Sequence, residues 1–312
     1  MWDWGIGALF SSITNLNPSI PHPTIRMVRR RPSTPAESLV ERIDRTEPGT
    51  PGQDTVPSGF PSIDRMLGGG FRRRDLVVLT GDVGSGKSSL ALGIALRSAL
   101  LGTPTVYFSG EMSEERLLER ALAVEGKATI DEIRSGKLTD PARSAVGAAA
   151  VRLRGLPLVI RGLHGLSFEA LAESIRMIPR RGLVVIDPVQ LVDPPRPGSS
   201  AEETLALAIR SLKSIAMDHD AVVLAVAQIR TSPAERQDPR PTLEDLGGLG
   251  AVKQHADLVL AIYREEMYRP GGGMEGATEL IVAKNRNGPT GFVDLYFYRR
   301  WLRFEDMLDP EA

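Results

Sequence analysis

"LVVLTGDVGSGKSS", residues 76–89, is the stretch on which the reading of this chain turns. Apolar β-formers from Leu76 to Thr80 run directly into Gly81, Gly86, Lys87 and Ser88, which satisfy the spacing G-x-x-x-x-G-K-[ST]. Glycines let a loop curl until successive backbone N–H groups face one anion, and a helix that follows aims its positive end at the same point. The loop made of Gly81, Asp82, Val83, Gly84, Ser85, Gly86, Lys87, Ser88 and Ser89 is therefore expected to cradle the phosphates of ATP. In that arrangement Lys87 brings a mobile charge to the β- and γ-phosphates, and the Ser88 hydroxyl is an oxygen ligand for Mg²⁺. A Gly/Ser turn before a buried helix has a similar composition, but here strand, loop and helix fall in the order a phosphate site requires.

On either side of this loop, short apolar runs alternate with amphipathic segments. Strands are expected at 76–80, 105–109, 158–160, 183–187, 221–227 and 257–263, and helices opening at Ser88, Ser113, Ser167 and Ser200. That alternation implies an α/β fold whose mostly parallel sheet is covered on both faces. From Thr278 onward the chain is β-rich without intervening helices, as an antiparallel hairpin added at the sheet edge would be. Compact structure is expected over 56–308, between a flexible Pro-rich segment at 1–55 and a short tail at 309–312.

Composition narrows the function classes. The 312 residues are 42% hydrophobic, enough for a sizeable core, and the absence of cysteine excludes disulfides, thiolate metal sites and a cysteine nucleophile. A reducing, cytoplasmic setting follows from that usage. A net charge of −1 gives no global basic signature, so any polyanion contact must be local. The opening "MWDWGIGALF" has no positive n-region and is too short to span a bilayer, and Met27, followed by Arg29, Arg30 and Arg31, is an alternative start to Met1.

Several polar residues stand at strand ends, where ligands of open α/β sheets bind. Asp187 closes "LVVID" and reads either as a turn signal or as the metal-side carboxylate opposite Ser88. Glu111, after the strand "TVYFS", is a candidate to orient or deprotonate water, or else a carboxylate favourable to the following helix dipole; Glu114 and Glu115 suit the dipole role better. Gln228, closing "AVVLAVAQ", is either a γ-phosphate sensor or a plain strand terminator. In "VAKNRNGPTG", Val282 to Gly291, an Asn-Gly-Pro turn between apolar flanks reads as a hairpin. Lys284 and Arg286 sit two apart on it, so both project to one side, toward an anion or as edge charges that discourage strand pairing.

Taken together, "SGFPSIDRMLGGGFRRRDLVVLTGDVGSGKSS", "YFSGEMSEERLLER", "LVVIDPVQLV", "HADLVLAIYREE", "AKNRNGPTGFVDLYF" and "RFED" resemble the ATPase domain of DnaB-like replicative helicases, from Val56 to Asp306. The resemblance implies a RecA-like P-loop fold, a hexameric ring that hydrolyses ATP with Mg²⁺ between subunits, translocation on single-stranded DNA, and contacts with other replication proteins. It implies that Lys87 and Ser88 hold phosphate and Mg²⁺, Glu111 activates water, Asp187 supports metal and water, and Gln228 couples the γ-phosphate to DNA loops. Lys284 and Arg286 match cations that reach into the neighbouring subunit's site.

The sequence also departs from that family. Its Pro-rich segment stands where the family has a helical collar, so a stand-alone ATPase domain is expected. Pro188 replaces the usual aromatic, and Gly247, Gly248 and Leu249 stand where the family shows Arg-Glu-Ser in the loop that lines the DNA channel. Backbone N–H groups of Gly247, Gly248 and Gly250, with Lys253 nearby, are the remaining candidates for phosphate contact, since neither candidate loop carries an aromatic on which bases could stack. Arg72, Arg73 and Arg74 read as a solvated turn. Two functions follow: a DNA helicase or translocase of the replicative type, or an ATP-binding assembly or regulatory module without processive unwinding.

Overall fold

The computed structural model describes residues 54–307, apart from 178, 180, 181, 193–199, 230–235 and 249. The Pro-rich segment up to residue 53, the alternative start at Met27, Leu249 and the tail at 309–312 lie outside the described residues. In chain order the first elements are β1 (Thr55–Val56), α1 (Pro61–Met66), β2 (Phe71–Arg72), β3 (Leu76–Gly81), α2 (Lys87–Leu100), β4 (Thr105–Ser109) and α3 (Glu114–Gly126). They are followed by α4 (Ile130–Ser135), α5 (Asp140–Arg154), β5 (Leu158–Gly162), α6 (Phe168–Arg176), β6 (Leu183–Asp187), α7 (Ala201–His219) and β7 (Val222–Val226). The last are α8 (Ala251–His255), β8 (Leu258–Tyr263), β9 (Ala277–Asn285), β10 (Gly291–Tyr298) and β11 (Arg303–Asp306).

One sheet runs in the order β11-β10-β9-β8-β3-β7-β6-β4-β5. From β8 to β5 neighbours are parallel, while β9, β10 and β11 continue beyond β8 as antiparallel strands. The expected hairpin is therefore part of a three-stranded extension. The apolar runs are uninterrupted because both faces are covered. Val77 and Leu79 enter the core under α2 and α3, while Leu76 and Val78 enter the core under α6 and α7, and β6 and β7 alternate in the same way.

Three helices start where a serine announces them. The hydroxyls of Ser113, Ser167 and Ser200 accept from the backbone N–H of Arg116, Ala170 and Glu203, satisfying donors that the first helical turn leaves free. Helix α2 begins at Lys87 rather than Ser88, because Gly86, with φ of 101°, is its N-cap. Helices α4 and α5 carry no apolar stripe strong enough to be read from sequence: α4 buries no residue and α5 buries Ala149 alone. The turn Arg72–Arg74 is not simply solvated, since Arg73 pairs with Asp54 and Asp220 and Arg74 also pairs with Asp220, at the C-terminus of α7.

Asp257, 2% exposed, ties the amino-terminal edge of the sheet together. Its carboxylate accepts from the backbone N–H of Leu76 at 2.9 Å, from Lys213 on α7 at 2.6 Å and from Arg286 of the β9–β10 turn at 2.8 Å. Removing one member of a buried, fully bonded charge cluster leaves the others uncompensated, whereas a half-exposed arginine contributes little. Asp257→Ala is thus expected to lower unfolding free energy by about 3 kcal/mol in a denaturant titration. Arg286→Ala, at a side chain 48% exposed, is expected to cost less than about 1 kcal/mol.

Beside this cluster, burial first and then the Asp257 carboxylate push the Asp75 carboxyl up from 3.8 to about 6, against the opposing pull of Lys213, Arg72 and Arg286. The folded chain then holds this proton more tightly than the unfolded chain does. The contribution of Asp75 to stability is complete below its ordinary value of 3.8 and is lost as pH rises through about 6. Asp75→Asn, which cannot ionise, should match the parent in urea midpoint near pH 4 and exceed it at neutral pH. A parent that gains stability over the variant as pH rises would refute this sign.

Candidate functional site

Strand β3 lies between β7 and β8, and the turn that leaves it, Asp82 to Gly86, opens at the carboxyl edge of the sheet. Gly84 and Gly86 have φ of 79° and 101°, in the left-handed region that favours glycine. A Cβ on Gly86 would come within 2.9 Å of the Phe304 ring, so both conformation and space exclude a larger residue there. The Lys87 ammonium folds back over the loop and donates to Gly81 O at 3.0 Å and Asp82 O at 2.8 Å. Burial pulls its pKa below the usual lysine range, and the negative Asp187, Asp82 and Glu111 oppose that pull. A third ammonium proton remains for an anion held in the loop.

The carboxylate of Asp187, 3% exposed at the end of β6, bonds the hydroxyls of Ser88 and Tyr107, with the Tyr107 oxygen 2.6 Å from Oδ2. Burial raises its pKa, and the two hydroxyl bonds hold it down. Burial likewise pushes the Tyr107 phenol up, reinforced by the neighbouring Asp187 charge, so that it acts as the donor. Glu111 and Gln228 are exposed across the same opening, with Gln228 Nε2 at 3.5 Å from Glu111 Oε1. Lys87, Ser88, Ser89, Glu111, Asp187 and Gln228 all line one cavity of about 460 Å³. Glu114 does a different job: its Oε1 accepts from the N–H of Gly162 at 3.1 Å, tying α3 to the end of β5.

Arginines complete the cavity, and the sequence reading missed them. Arg264, 2% exposed just beyond β8, reaches Gly84 O at 3.4 Å and Ser85 O at 3.5 Å, pairs with Glu266, and stacks 4.5 Å from the Phe297 ring centroid. Arg120 on α3 and Arg299 after β10 face the same space. A signal for Arg264 existed, since an arginine closing a buried strand beside the phosphate-loop strand must emerge on the ligand edge. Arg120 and Arg299 depend on packing between distant segments and left no local signal.

The hairpin cations are placed otherwise than alternation on a strand suggests. Lys284 turns inward, donating to Lys253 O at 2.6 Å and Ala256 O at 2.5 Å, where the end of α8 leaves carbonyls unpaired. Arg286 stays half exposed, with Nη1 on Asp257 and Nη2 donating to Gln254 O at 3.0 Å. Both lie at the amino edge: Leu258, opposite Asn285, pairs in register with Val77, whereas the loop starts at Gly81. Four residues of strand, roughly 13 Å, separate them from their own phosphate loop.

In the glycine loop, Gly247 and Gly248 are buried against α7, and the N–H of Gly248 donates to the Glu202 carboxylate. Lys253 pairs with Glu244. Gly250 is exposed and caps α8 with φ of 79°. The expected row of free N–H groups is thus interrupted at Gly248, whose N–H the Glu202 carboxylate of α7 takes up.

Among the described residues no cluster of three or more His, Cys, Asp or Glu is arranged to hold a metal, and no helix is long and apolar enough to cross a membrane. Comparison with known proteins places this geometry. A "Replicative DNA helicase DnaB" of Geobacillus stearothermophilus is 32% identical over 257 residues, 81% of this chain. The solved structure of a DnaB-like replicative helicase, described with its primase interactions, superposes with a TM-score of 0.81 at 27% identity, covering 87% of this chain and 67% of that one. The RadB recombinase, at 19% identity and a TM-score of 0.51, shares the RecA-like fold alone. This chain spans 56% of the length of the Geobacillus stearothermophilus helicase and 65% of that of a "Replicative DNA helicase DnaC" of Bacillus subtilis (strain 168). The family model for the DnaB-like helicase C-terminal domain aligns with residues 55–306, and the chain belongs to that family.

Proposed function

We propose that the protein is the ATP-hydrolysing motor of a DNA helicase or translocase of the replicative type, working on single-stranded DNA from a ring of copies of itself. The observation that carries this reading is the convergence of Lys87, Ser88, Asp187, Glu111 and Gln228 on one cavity. The donor set suits Mg²⁺-ATP. Ser88 and Asp187 offer hard oxygen atoms, and with so few protein ligands the ion relies on nucleotide phosphates as well, as Mg²⁺ commonly does. When bound, the ion would neutralise charge on the transferred phosphoryl group. Lys87 and the N–H groups of the loop bind and orient the phosphates, Glu111 takes a proton from the attacking water, and Gln228, beside Glu111, registers the γ-phosphate.

Arg286 is the residue that calls for a second copy. At the amino edge of its own sheet it cannot reach its own loop, yet its half-exposed guanidinium retains donors not used by Asp257 and Gln254. A guanidinium delivered across an interface stabilises the charge of phosphoryl transfer. Lys284, bound to two carbonyls, supports this edge by holding α8 beneath it and joins the neighbour's site only if those bonds open.

A second reading, an ATP-binding assembly or regulatory module without processive unwinding, draws support from the glycine loop. Its Gly248 N–H is committed to Glu202 and Lys253 to Glu244, which leaves fewer groups for a DNA backbone. Acceleration of ATP turnover by single-stranded DNA separates the two readings: a motor responds, a module does not.

Glu111→Gln is expected to bind ATP normally but hydrolyse it at least about 10²-fold more slowly, since an amide takes no proton. Glu114→Gln keeps an acceptor for Gly162 and should turn over like the parent. Equal losses from both would show that helix α3, and not proton transfer, had been disturbed.

Arg286→Ala and Lys87→Ala should each lose ATP turnover, by about 10³-fold for the arginine, while remaining folded. Mixed together, they should regain part of it, because some interfaces then pair an intact phosphate loop with an intact hairpin. Arg286→Ala at the parental rate would remove the residue from catalysis, and dead variants that never complement would remove the shared site.

A further inference from the structure

A carboxylate as buried as Asp187 takes its orientation from protein partners. One of them, Tyr107, comes from β4, which pairs with β6 in parallel register, Tyr107 opposite Val185 and Ser109 opposite Asp187. Tyr107 and Asp187 are therefore two positions apart in that register and project to the same face of the sheet, the one covered by α2. The Tyr107 ring is fully buried there among apolar neighbours, and its hydroxyl donates to Asp187 Oδ2 at 2.6 Å. A carboxylate only accepts and a buried phenol must donate, so each group satisfies the other. The second hydroxyl on this carboxylate, that of Ser88, belongs to the phosphate loop and is itself metal-side. Tyr107 alone, of these two, holds Asp187 without standing at the site.

We propose that Tyr107 is a positioning residue for the metal-side carboxylate: its hydroxyl fixes the rotamer of Asp187, and through it the affinity of the site for Mg²⁺ when ATP is bound. This rests on the reading of Asp187 as a metal-side group. The ordinary alternative is that the bond merely satisfies a polar atom in the core, in which case stability would depend on it and metal affinity would not.

Tyr107→Phe removes the hydroxyl and keeps the ring in its place. In the full chain, binding of a fluorescent methylanthraniloyl-ATP is followed while Mg²⁺ is titrated, a measurement that needs no turnover. Tyr107→Phe is expected to raise the Mg²⁺ midpoint about tenfold, the scale on which groups that orient metal ligands act, and to leave nucleotide affinity in excess chelator unchanged. Asp187→Asn is the reference. The double variant should be no worse than Asp187→Asn alone, because a role exerted through Asp187 disappears with it, whereas independent packing defects add.

An unchanged midpoint in Tyr107→Phe alongside a shifted one in Asp187→Asn overturns the positioning role and leaves the metal-side reading standing. Equal weakening of metal-free and metal-dependent binding, or strict additivity in the double variant, overturns it as well. An Asp187→Asn variant with the parental midpoint overturns the metal-side reading itself, and this inference with it.

Discussion

Parallel in-register pairing of β3 with β7 and β8 is the constraint from which the site follows. Parallel strands expose all their carboxyl ends at one edge, and the crossovers that link them leave that edge free for ligands. Gly84 after β3, Asp187 at the end of β6, Glu111 after β4, Gln228 after β7 and Arg264 after β8 follow five strands, yet all open on one cavity. Burial on both faces supports the pairing, because alternate residues of β3, β6 and β7 enter one or the other of two apolar cores.

Charge then follows from placement. The cavity gathers Lys87, Arg120, Arg264 and Arg299 against Glu111 and Asp187. Lys87, partly withdrawn from water and leaning on two carbonyls, gains most from an incoming anion, since its own surroundings penalise the charged form. Arg264 plays a mechanical part. By reaching the carbonyls of Gly84 and Ser85 from the end of β8, it braces the turn between β3 and α2, while Phe297 covers its face.

What could be read in the sequence divides along the same physical line. Strands buried on both faces appear as unbroken apolar runs, and helices capped by Ser113, Ser167 and Ser200 announce their first residue. Each signal is local. Helix α5 escaped notice because it is almost wholly exposed and Ala-rich, so no stripe of large apolar residues marks it. Tyr107 on Asp187, Glu202 on Gly248 and Lys284 on the carbonyls closing α8 join residues 80, 46 and 28 or more positions apart, and nothing near any of them in sequence names the partner. The glycine turn between β3 and α2 was legible because strand, turn and helix follow one another locally, whereas the loop around Gly247 was misread in detail because a glycine's N–H is open only if no neighbour claims it.

The two edges of the sheet divide the labour of the molecule. At the carboxyl edge the chain carries the cavity lined by Lys87, Ser88, Glu111 and Asp187, and at the amino edge it carries Arg286, held by Asp257 to the start of β3 and to α7 through Lys213. Because Asp257 accepts from the N–H of Leu76, the first residue of the strand that ends in the phosphate loop, Arg286 is fixed to the same rigid strand as that loop. One strand, paired along its length with β7 and β8, therefore joins the two edges.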